Sequence, residues 1–192
     1  IDRRWPQLGL PPGWVERRKR EEAHAMAARA AAYVRSSAAA GWTVVGTETD
    51  ASVDLGRVRI RGRVDRLEQH DGGGLRVLDY KTGSTKPKAS ELARHPQLGV
   101  YQVAVEAGAF AELGTESAGA ALVQLGKAAN ASVTVQAQPP LHDDPDPGWA
   151  RELVEQTAEG MAGASFAAKP GGHCRTCPVV SCCPARPEGQ TL

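Results

Sequence analysis

Residues 62–83 have the sequence GRVDRLEQHDGGGLRVLDYKTG, in which two strand-forming runs flank a glycine-rich turn. The turn Asp71-Gly72-Gly73-Gly74 is typical of a tight connection between antiparallel strands. Branched and apolar residues on either side of it predict strands near 58–67 and 75–80. This stretch therefore predicts a β-hairpin, around which the other elements are placed.

Acidic and basic side chains meet at one end of this predicted hairpin. Residues two apart on a strand share one face, so Asp79 and Lys81 project together while Tyr80 points the other way. Asp65 lies near the end of the preceding strand, and the hairpin folds it toward Asp79. The pattern predicts two carboxylates and one amine within reach of each other.

The remaining elements alternate between helical and strand patterns. The segment 14–40 is rich in Ala, Glu and Arg and lacks Pro and Gly, which favours one long helix ending at Gly41. Further predicted strands lie at 42–48, 121–125 and 133–137, and further helices at 90–110 and 149–161. This order predicts an α/β fold with a mixed central sheet flanked by helices.

Four segments are expected along the chain. They are an N-terminal segment with the long helix (1–41), a core (42–138), a linker with a helix (139–173) and a cysteine-rich tail (174–192). At 192 residues the chain is long enough for one domain with a small appendage. Because it starts at Ile1 rather than Met, we expect it to be part of a longer protein.

Composition excludes some function classes. No apolar run approaches the roughly 20 residues needed to cross a bilayer, and the first residues lack the apolar run of a signal peptide, so no membrane partner and a cytoplasmic location are expected. The formal net charge of +1 is too small to indicate a nucleic-acid partner by itself. Any such function must be argued from a site.

The predicted carboxylate pair suits a hard divalent cation. Mg²⁺ commonly takes one or two carboxylates and keeps waters and phosphate oxygens as its other ligands. A cation there could activate water and neutralise a phosphate, with Lys81 steadying the water or the phosphate. The competing interpretation is structural: Asp65 would pair with Arg63 or Arg66, and Asp79 with Lys81 as a surface ion pair.

Three sequence blocks, in this order, resemble the RecB-like branch of the PD-(D/E)XK nucleases. The blocks are Gly62-Arg63-Val64-Asp65-Arg66, then Asp79-Tyr80-Lys81-Thr82-Gly83, then Gln97 with Tyr101. The resemblance implies a restriction-endonuclease-like fold and a DNA nuclease that uses Mg²⁺ or Mn²⁺. It also implies that Asp65, Asp79 and the backbone carbonyl of Tyr80 hold the metal, while Lys81 assists attack.

The resemblance adds catalytic roles for Gln97 and Tyr101, which their i, i+4 spacing places on one helix face. The alternative for Tyr101 is a simple core position. Glu48 is a secondary acidic candidate, with a solvent-facing position as its alternative. RecB-like nucleases usually add a metal-binding His from an upstream helix; His24 lacks the expected context and is interpreted as an exposed helical residue.

The tail clusters every cysteine of the chain. Cys174, Cys177 and Cys183 have the spacing C-x₂-C-x₅-C, which can surround one soft metal centre. This spacing resembles part of the [4Fe-4S] clasp of AddB-type and AdnB-type helicase–nuclease subunits, whose fourth cysteine lies far upstream. A zinc site using His173 or Cys182 is the alternative.

These resemblances imply a Mg²⁺-dependent deoxyribonuclease, with exonuclease action expected, that processes double-strand breaks beside a helicase motor or partner subunit. Two segments extend the resemblance to the AdnB type: the run from His95 to Tyr101 and the run from Cys174 to Pro178. No phosphate-binding loop of the form G-x-x-x-x-G-K-[ST] occurs, so ATP hydrolysis would belong elsewhere. The rival interpretation is a non-catalytic DNA-binding or assembly module with a nuclease fold and a structural metal.

Overall fold

The computed structural model describes residues 1–126 and 132–185, which divide into two compact units, Ile1–Val154 and Glu155–Leu192. The first unit holds the strands and the acidic and basic candidates of the hairpin, and the second holds the four cysteines. Residues 127–131 of the predicted core and 186–192 of the predicted tail lie outside the described residues.

Five strands form one mixed sheet in the first unit. They are β1 (Trp42–Leu55), β2 (Val58–His70), β3 (Leu75–Lys81), β4 (Ser117–Gln124) and β5 (Thr134–Gln138). Their order in the sheet follows their order in the chain. The pairs β1–β2, β2–β3 and β4–β5 are antiparallel, whereas β3 and β4 are parallel. The predicted α/β class with a mixed sheet is confirmed.

The described residues contain four α-helices: α1 (Trp14–Ala39), α2 (Ala89–Leu92), α3 (Pro96–Glu106) and α4 (Trp149–Ala162). The prediction of one long N-terminal helix is confirmed. The prediction of a single helix over 90–110 is wrong, because α2 and α3 are separate. His95 has extended backbone angles (φ −69°, ψ 119°), as expected for a residue that precedes a proline.

The first strand is much longer than predicted. The expected strand at 42–48 continues to Leu55, so β1 and β2 form an arm that extends beyond the rest of the sheet. The pairing of β2 with β3 covers only Arg66–Gln69, whereas its pairing with β1 continues to the Leu55–Val58 rung. The polar residues of 49–55 gave a weak strand pattern, and their conformation is set by pairing with β2.

One face of the sheet packs against α3. Leu75 and Val77 of β3 and Leu122 of β4 form a core with Leu98 and Val105 of α3, and all five are essentially inaccessible to water. Helix α3 connects β3 to β4, as a parallel pair requires. This packing fixes α3 beside the end of β3.

The packing of α3 also depends on a residue without a side chain. At Gly99, a Cβ would lie 2.5 Å from the ring of Trp149. Replacement by alanine would therefore push Trp149 at the start of α4 away from α3.

The opposite face of the sheet packs against α1. Tyr33 of α1 lies with Leu78, Ala121 and Val123 in a second buried cluster. Beside it, the fully buried carboxylate of Glu68 accepts hydrogen bonds from Tyr33 Oη at 3.0 Å and from Ser37 Oγ at 2.8 and 2.9 Å. This polar contact attaches α1 to β2.

Two arginines complete the group around Glu68. Arg66 Nε lies 2.7 Å and Arg76 Nη2 lies 2.6 Å from its carboxylate oxygens. Burial alone would raise the pKa of Glu68, but hydrogen bonds from Arg76, Arg66 and Ser37 outweigh it and lower that pKa. We call this group, with Tyr33, the Glu68 cluster.

In the second unit, α4 ends at Ala162 and is followed by a segment whose only helical turns among the described residues are two short 3-10 turns, Gly172–Thr176 and Val180–Cys182. Within residues 1–126 and 132–185, no helix combines the length and the apolar character that crossing a bilayer requires.

Candidate active site where β2 and β3 separate

The end of β3 and the first turns of α3 bring four polar side chains together. Asp79 and Lys81 project from the same face of β3 as Leu75 and Val77, which is the face that α3 covers. Gln97 and Tyr101, one turn apart on α3, face them. These side chains come from segments more than fifteen residues apart.

Asp79 is the centre of this group. Its Oδ1 accepts hydrogen bonds from Gln97 Nε2 at 2.7 Å and from Tyr101 Oη at 3.1 Å. Its Oδ2 lies 2.8 Å from Lys81 Nζ, which also donates to Gln97 Oε1 at 3.0 Å. We call Asp79, Lys81, Gln97 and Tyr101 the Asp79 cluster.

Burial in this group is uneven. The Asp79 side chain is 10% exposed, whereas the Lys81 side chain is 36% exposed. The amine therefore lies at the solvent boundary while the carboxylate lies behind it.

Tyr101 is not merely a core residue. Burial, together with the negative charges of Asp79 and Asp65, raises the pKa of Tyr101 to about 12. Its hydroxyl therefore stays protonated at neutral pH and can donate to Asp79.

Asp65 occupies the place where β2 and β3 separate. Backbone pairing between these strands ends at the Arg66–Leu78 rung, and the next free amide of β3, that of Tyr80, donates to Asp65 Oδ2 at 2.7 Å. The carboxylate thus replaces the missing rung of the ladder. It is partly exposed, so its other oxygen can meet solvent.

The structural interpretation of Asp65 as the partner of a neighbouring arginine does not hold. Arg63 Nε lies 2.9 Å from Asp50, and Arg66 lies 2.7 Å from Glu68. Asp79 does pair with Lys81, but its carboxylate is buried and only the amine reaches the solvent boundary.

The backbone of Lys81 is held from the other side of β3. Leu125 N donates to Lys81 O at 2.8 Å and Gly126 N donates to the same oxygen at 3.1 Å. Gly126 lies so close to the carbonyls of Thr82 and Gly83 that a Cβ would overlap them. Gly126 cannot be recognised as a site residue from sequence, because a lone glycine after an apolar run is an ordinary turn signal.

Glu48 is the secondary acidic candidate, and His24 is interpreted from the sequence as an exposed helical residue. Glu48 is exposed and has a positive φ of 49°, the only non-glycine residue with a positive φ among the described residues. The register places it opposite Asp65, between the Thr47–Arg66 and Thr49–Val64 rungs. His24 is exposed on α1 and lies 2.9 Å from Asp2, so the interpretation of an exposed helical histidine is supported.

The donor set around Asp65 and Asp79 has the chemistry that Mg²⁺ uses. Two carboxylates are sufficient when waters and phosphate oxygens complete the coordination. The N–H and C=O of one strand residue point to the same neighbouring strand, so we expect the Tyr80 carbonyl to face the gap beside Asp65. The residues present fit a divalent cation.

The cysteines do not form a comparable set. Cys174, Cys177 and Cys183 are partly buried free thiols, and Cys182 is exposed. Throughout residues 1–126 and 132–185, no three or more His, Cys, Asp or Glu side chains are grouped so as to hold a metal ion. The arrangement of the thiols therefore gives no support to the predicted iron–sulfur or zinc centre.

The predicted position of Asp65 near the end of its strand is wrong, because β2 continues to His70 and Asp65 lies in its middle, where β3 separates from it. A mixed sheet carrying two carboxylates and a lysine at such a point indicates a nuclease-type α/β fold. Residues 1–184 match the PD-(D/E)XK nuclease superfamily, so the chain belongs to this superfamily. Its members generally use divalent metals. No curated protein sequence matches the chain.

Among solved structures, the crystal structure of SSO0001 is similar to this chain with 20% sequence identity and a TM-score of 0.42. The matched region covers 73% of this chain and 60% of that chain. This chain thus spans 60% of the length of that structure.

Proposed function

We propose that this chain hydrolyses phosphodiester bonds in DNA with the help of a divalent cation, Mg²⁺ or Mn²⁺. The observation that supports this most is the Asp79 cluster, in which a buried carboxylate and a solvent-facing amine meet beside Asp65. Superfamily membership favours the same activity.

In this proposal Asp65, Asp79 and the Tyr80 carbonyl would hold the cation. When bound, the cation would lower the pKa of a coordinated water and neutralise charge on the phosphate. Hydrolysis joins a water oxygen to phosphorus as the bond to the leaving oxygen breaks, and the leaving oxygen takes up a proton.

Lys81 would act as a hydrogen-bond donor rather than as a base. Its ammonium group has three N–H bonds, and two of its present partners are Asp79 and Gln97. A side chain that is 36% exposed can direct its remaining N–H toward the attacking water or a phosphate oxygen. There it would stabilise the negative charge that develops during attack.

Gln97 and Tyr101 would be positioning residues. Both donate to Oδ1 of Asp79, which leaves Oδ2 facing Lys81 and the solvent side. This arrangement orients the carboxylate before any ligand arrives, which avoids reorganisation during the reaction.

The type of cleavage and the cellular role are a more specific proposal. The RecB-like, AddB-type and AdnB-type resemblance favours exonuclease action within a helicase–nuclease that processes double-strand breaks in the cytoplasm. Its support is sequence, namely the three motif blocks and the run from His95 to Tyr101. A metal bound by the tail cysteines stays a prediction, to be checked by metal analysis of the purified protein.

The rival function is DNA binding or subunit assembly without cleavage. One observation favours it: His24, the histidine carried by α1, pairs with exposed Asp2, and the described residues bring no histidine to Asp65 or Asp79 by any hydrogen bond or ion pair. A binding module, however, has no need of a lysine between the carboxylate and solvent.

Cleavage of labelled DNA during Mg²⁺ and Mn²⁺ titrations separates the two functions. The wild-type chain should cleave, and Asp65→Ala and Asp79→Ala should each abolish cleavage while circular dichroism remains unchanged. Asp143→Ala removes an equivalent charge from an exposed side chain and should cleave normally. Binding without cleavage at every cation concentration would favour the rival.

Calorimetry of Lys81→Ala separates its role from that of the carboxylates. This variant should lose cleavage but still bind Mg²⁺, because an ammonium group is not a metal ligand. Loss of Mg²⁺ binding in Lys81→Ala, with the fold intact, would contradict the assigned role.

A further inference from the structure

The β1–β2 arm, residues 49–64, has two unlike faces. On one face, Leu55 and Ile60 pack against a core of Val103, Leu141 and Trp149. That packing holds the arm in place. The other face is polar, because side chains alternate along each strand.

The polar face carries a row of arginines. Arg59, Arg61 and Arg63 occupy alternate positions of β2, Arg57 lies in the preceding turn, and all four are exposed. The arm contains only two acidic residues, Asp50 and Asp54, so its formal charge is +2 in a chain whose total is +1. Positive charge is thus concentrated on this face.

Only half of these arginines are neutralised. Arg63 pairs with Asp50 at 2.9 Å, and Arg59 makes a two-point contact with Asp54 that includes an Nη2–Oδ2 distance of 2.9 Å. Within the described part of the chain, Arg57 and Arg61 have no acidic partner at ion-pair distance. They are therefore available to a ligand.

The arm leads directly into the candidate active site, since Val64 is followed by Asp65. At about 3.3 Å per residue, Arg61 and Arg57 lie roughly 13 and 26 Å along the strand from Asp65. Duplex DNA carries one negative charge per roughly 1.7 Å of axis, so this span corresponds to several phosphates.

We propose that the arginine face of the β1–β2 arm binds the DNA phosphate backbone beside the cleavage site, through Arg57 and Arg61. This inference rests on the proposed nuclease function and adds to it the surface that holds the substrate. Phosphate contacts carry no base information, so the arm would contribute affinity without sequence preference.

Fluorescence anisotropy of a short labelled DNA duplex, measured in a salt series with EDTA, tests this proposal. Arg57→Gln/Arg61→Gln should bind more weakly than wild type, and the slope of log K against log salt should fall by about 2, because each lost phosphate contact removes about 0.9. In cleavage assays its KM should rise while kcat changes little. An unchanged slope and affinity overturn the proposal.

Two control variants make the result specific. Asp54→Asn/Arg59→Gln removes a neutral ion pair from the same arm, so it should leave the slope unchanged. Arg17→Gln/Lys19→Gln removes two exposed charges from α1, and an equal loss of slope in this variant would mean a general charge effect and overturn the assignment to the arm.

The binding and cleavage assays test the arm proposal and the nuclease proposal separately. If wild type cleaves DNA and Arg57→Gln/Arg61→Gln behaves identically, only the arm proposal fails. If wild type binds DNA through the arm but cleaves with neither Mg²⁺ nor Mn²⁺, the arm proposal stands and the nuclease proposal fails.

Discussion

The Asp79 cluster and the Glu68 cluster lie on opposite faces of one sheet and use similar parts. In each, a tyrosine hydroxyl donates to a carboxylate: Tyr101 to Asp79 at 3.1 Å and Tyr33 to Glu68 at 3.0 Å. In each, a positively charged side chain completes the group: Lys81 beside Asp79, and Arg66 and Arg76 beside Glu68. Similar residue types can therefore serve different purposes in the same fold.

The two clusters differ in access to solvent. Glu68 has no exposed surface, and its oxygens are occupied by four neighbouring side chains. Asp79 faces a lysine that is 36% exposed, at the edge where β2 leaves β3. A fully buried and fully bonded group such as the Glu68 cluster stabilises the fold. A group that reaches solvent, such as the Asp79 cluster, can exchange its present partners for a ligand.

The largest expected effect is the loss of cleavage in Asp79→Asn. The amide keeps an acceptor for Gln97 and Tyr101 but removes the charge that a cation needs, so kcat should fall by on the order of 10³-fold. The free energy of unfolding should fall by less than about 1 kcal/mol, since Lys81 lies at the solvent boundary and can turn to water. Urea unfolding beside a cleavage assay measures both, and a large loss of stability would remove the contrast between the clusters.

Glu68→Gln should show the opposite pattern. Removing this charge leaves Arg66 and Arg76 without their buried counter-ion, which should cost about 3–5 kcal/mol of stability. Below its unfolding temperature the variant should retain wild-type kcat. Urea unfolding and a cleavage assay measure the two quantities. A fall in kcat without a loss of stability would contradict the division of roles between the clusters.

The same residue sets an acid dependence. Because the pKa of Glu68 is lowered in the folded state, its contribution is present above the unfolded pKa and is lost as pH falls through the folded pKa. The stability difference between wild type and Glu68→Gln should therefore shrink as pH falls through the acidic range. A difference that is independent of pH would contradict this.

The two tyrosines offer a matched pair of smaller changes. Tyr33→Phe should lower stability by about 2 kcal/mol, because a hydrogen bond to a buried charge is lost, and should leave kcat unchanged. Tyr101→Phe should lower kcat about tenfold, the equivalent of about 1.4 kcal/mol, with less effect on stability because Gln97 still donates to the same oxygen. Equal effects of both variants on kcat would remove the distinction.

The smallest effect is spectroscopic. Burial raises the pKa of all three tyrosines of the chain, to about 12 for Tyr33 and Tyr101. Tyrosinate absorbance of the native protein should therefore appear well above the ordinary pKa of about 10. Stability should be fully retained below about pH 10 and decrease as pH rises toward 12. A full tyrosinate signal near pH 10 in the folded protein would contradict the burial of these hydroxyls.

Local patterns explain how much could be predicted from the sequence. The hairpin, the long helix α1 and the mixed sheet follow from turn residues, helix formers and strand periodicity, and all three are present. The proximity of Gln97 and Tyr101 to Asp79 was predicted only through the family resemblance, since no local rule says where α3 packs. Their contacts depend on the core formed by Leu98 and Val105.

Other features depend on partners distant in sequence. The polar run 49–55 is a strand because β2 lies beside it. The buried carboxylate of Glu68 is stabilised by Arg76 and Ser37, which come from other elements. The alternating arginines of β2 were visible in the sequence. Their ion pairs with Asp50 and Asp54, which leave Arg57 and Arg61 free for a ligand, depend on strand register.

Helix α3 has a consequence for biosynthesis. It is both the crossover that makes β3 and β4 parallel neighbours and the carrier of Gln97 and Tyr101. Contacts between distant segments form late, because loop closure must precede them. A nascent chain that has emerged only as far as β3 would carry Asp65, Asp79 and Lys81 without Gln97 and Tyr101, which orient Asp79. The order of synthesis should therefore delay any nuclease activity until α3 has docked, so that partly made chains leave nearby DNA uncut.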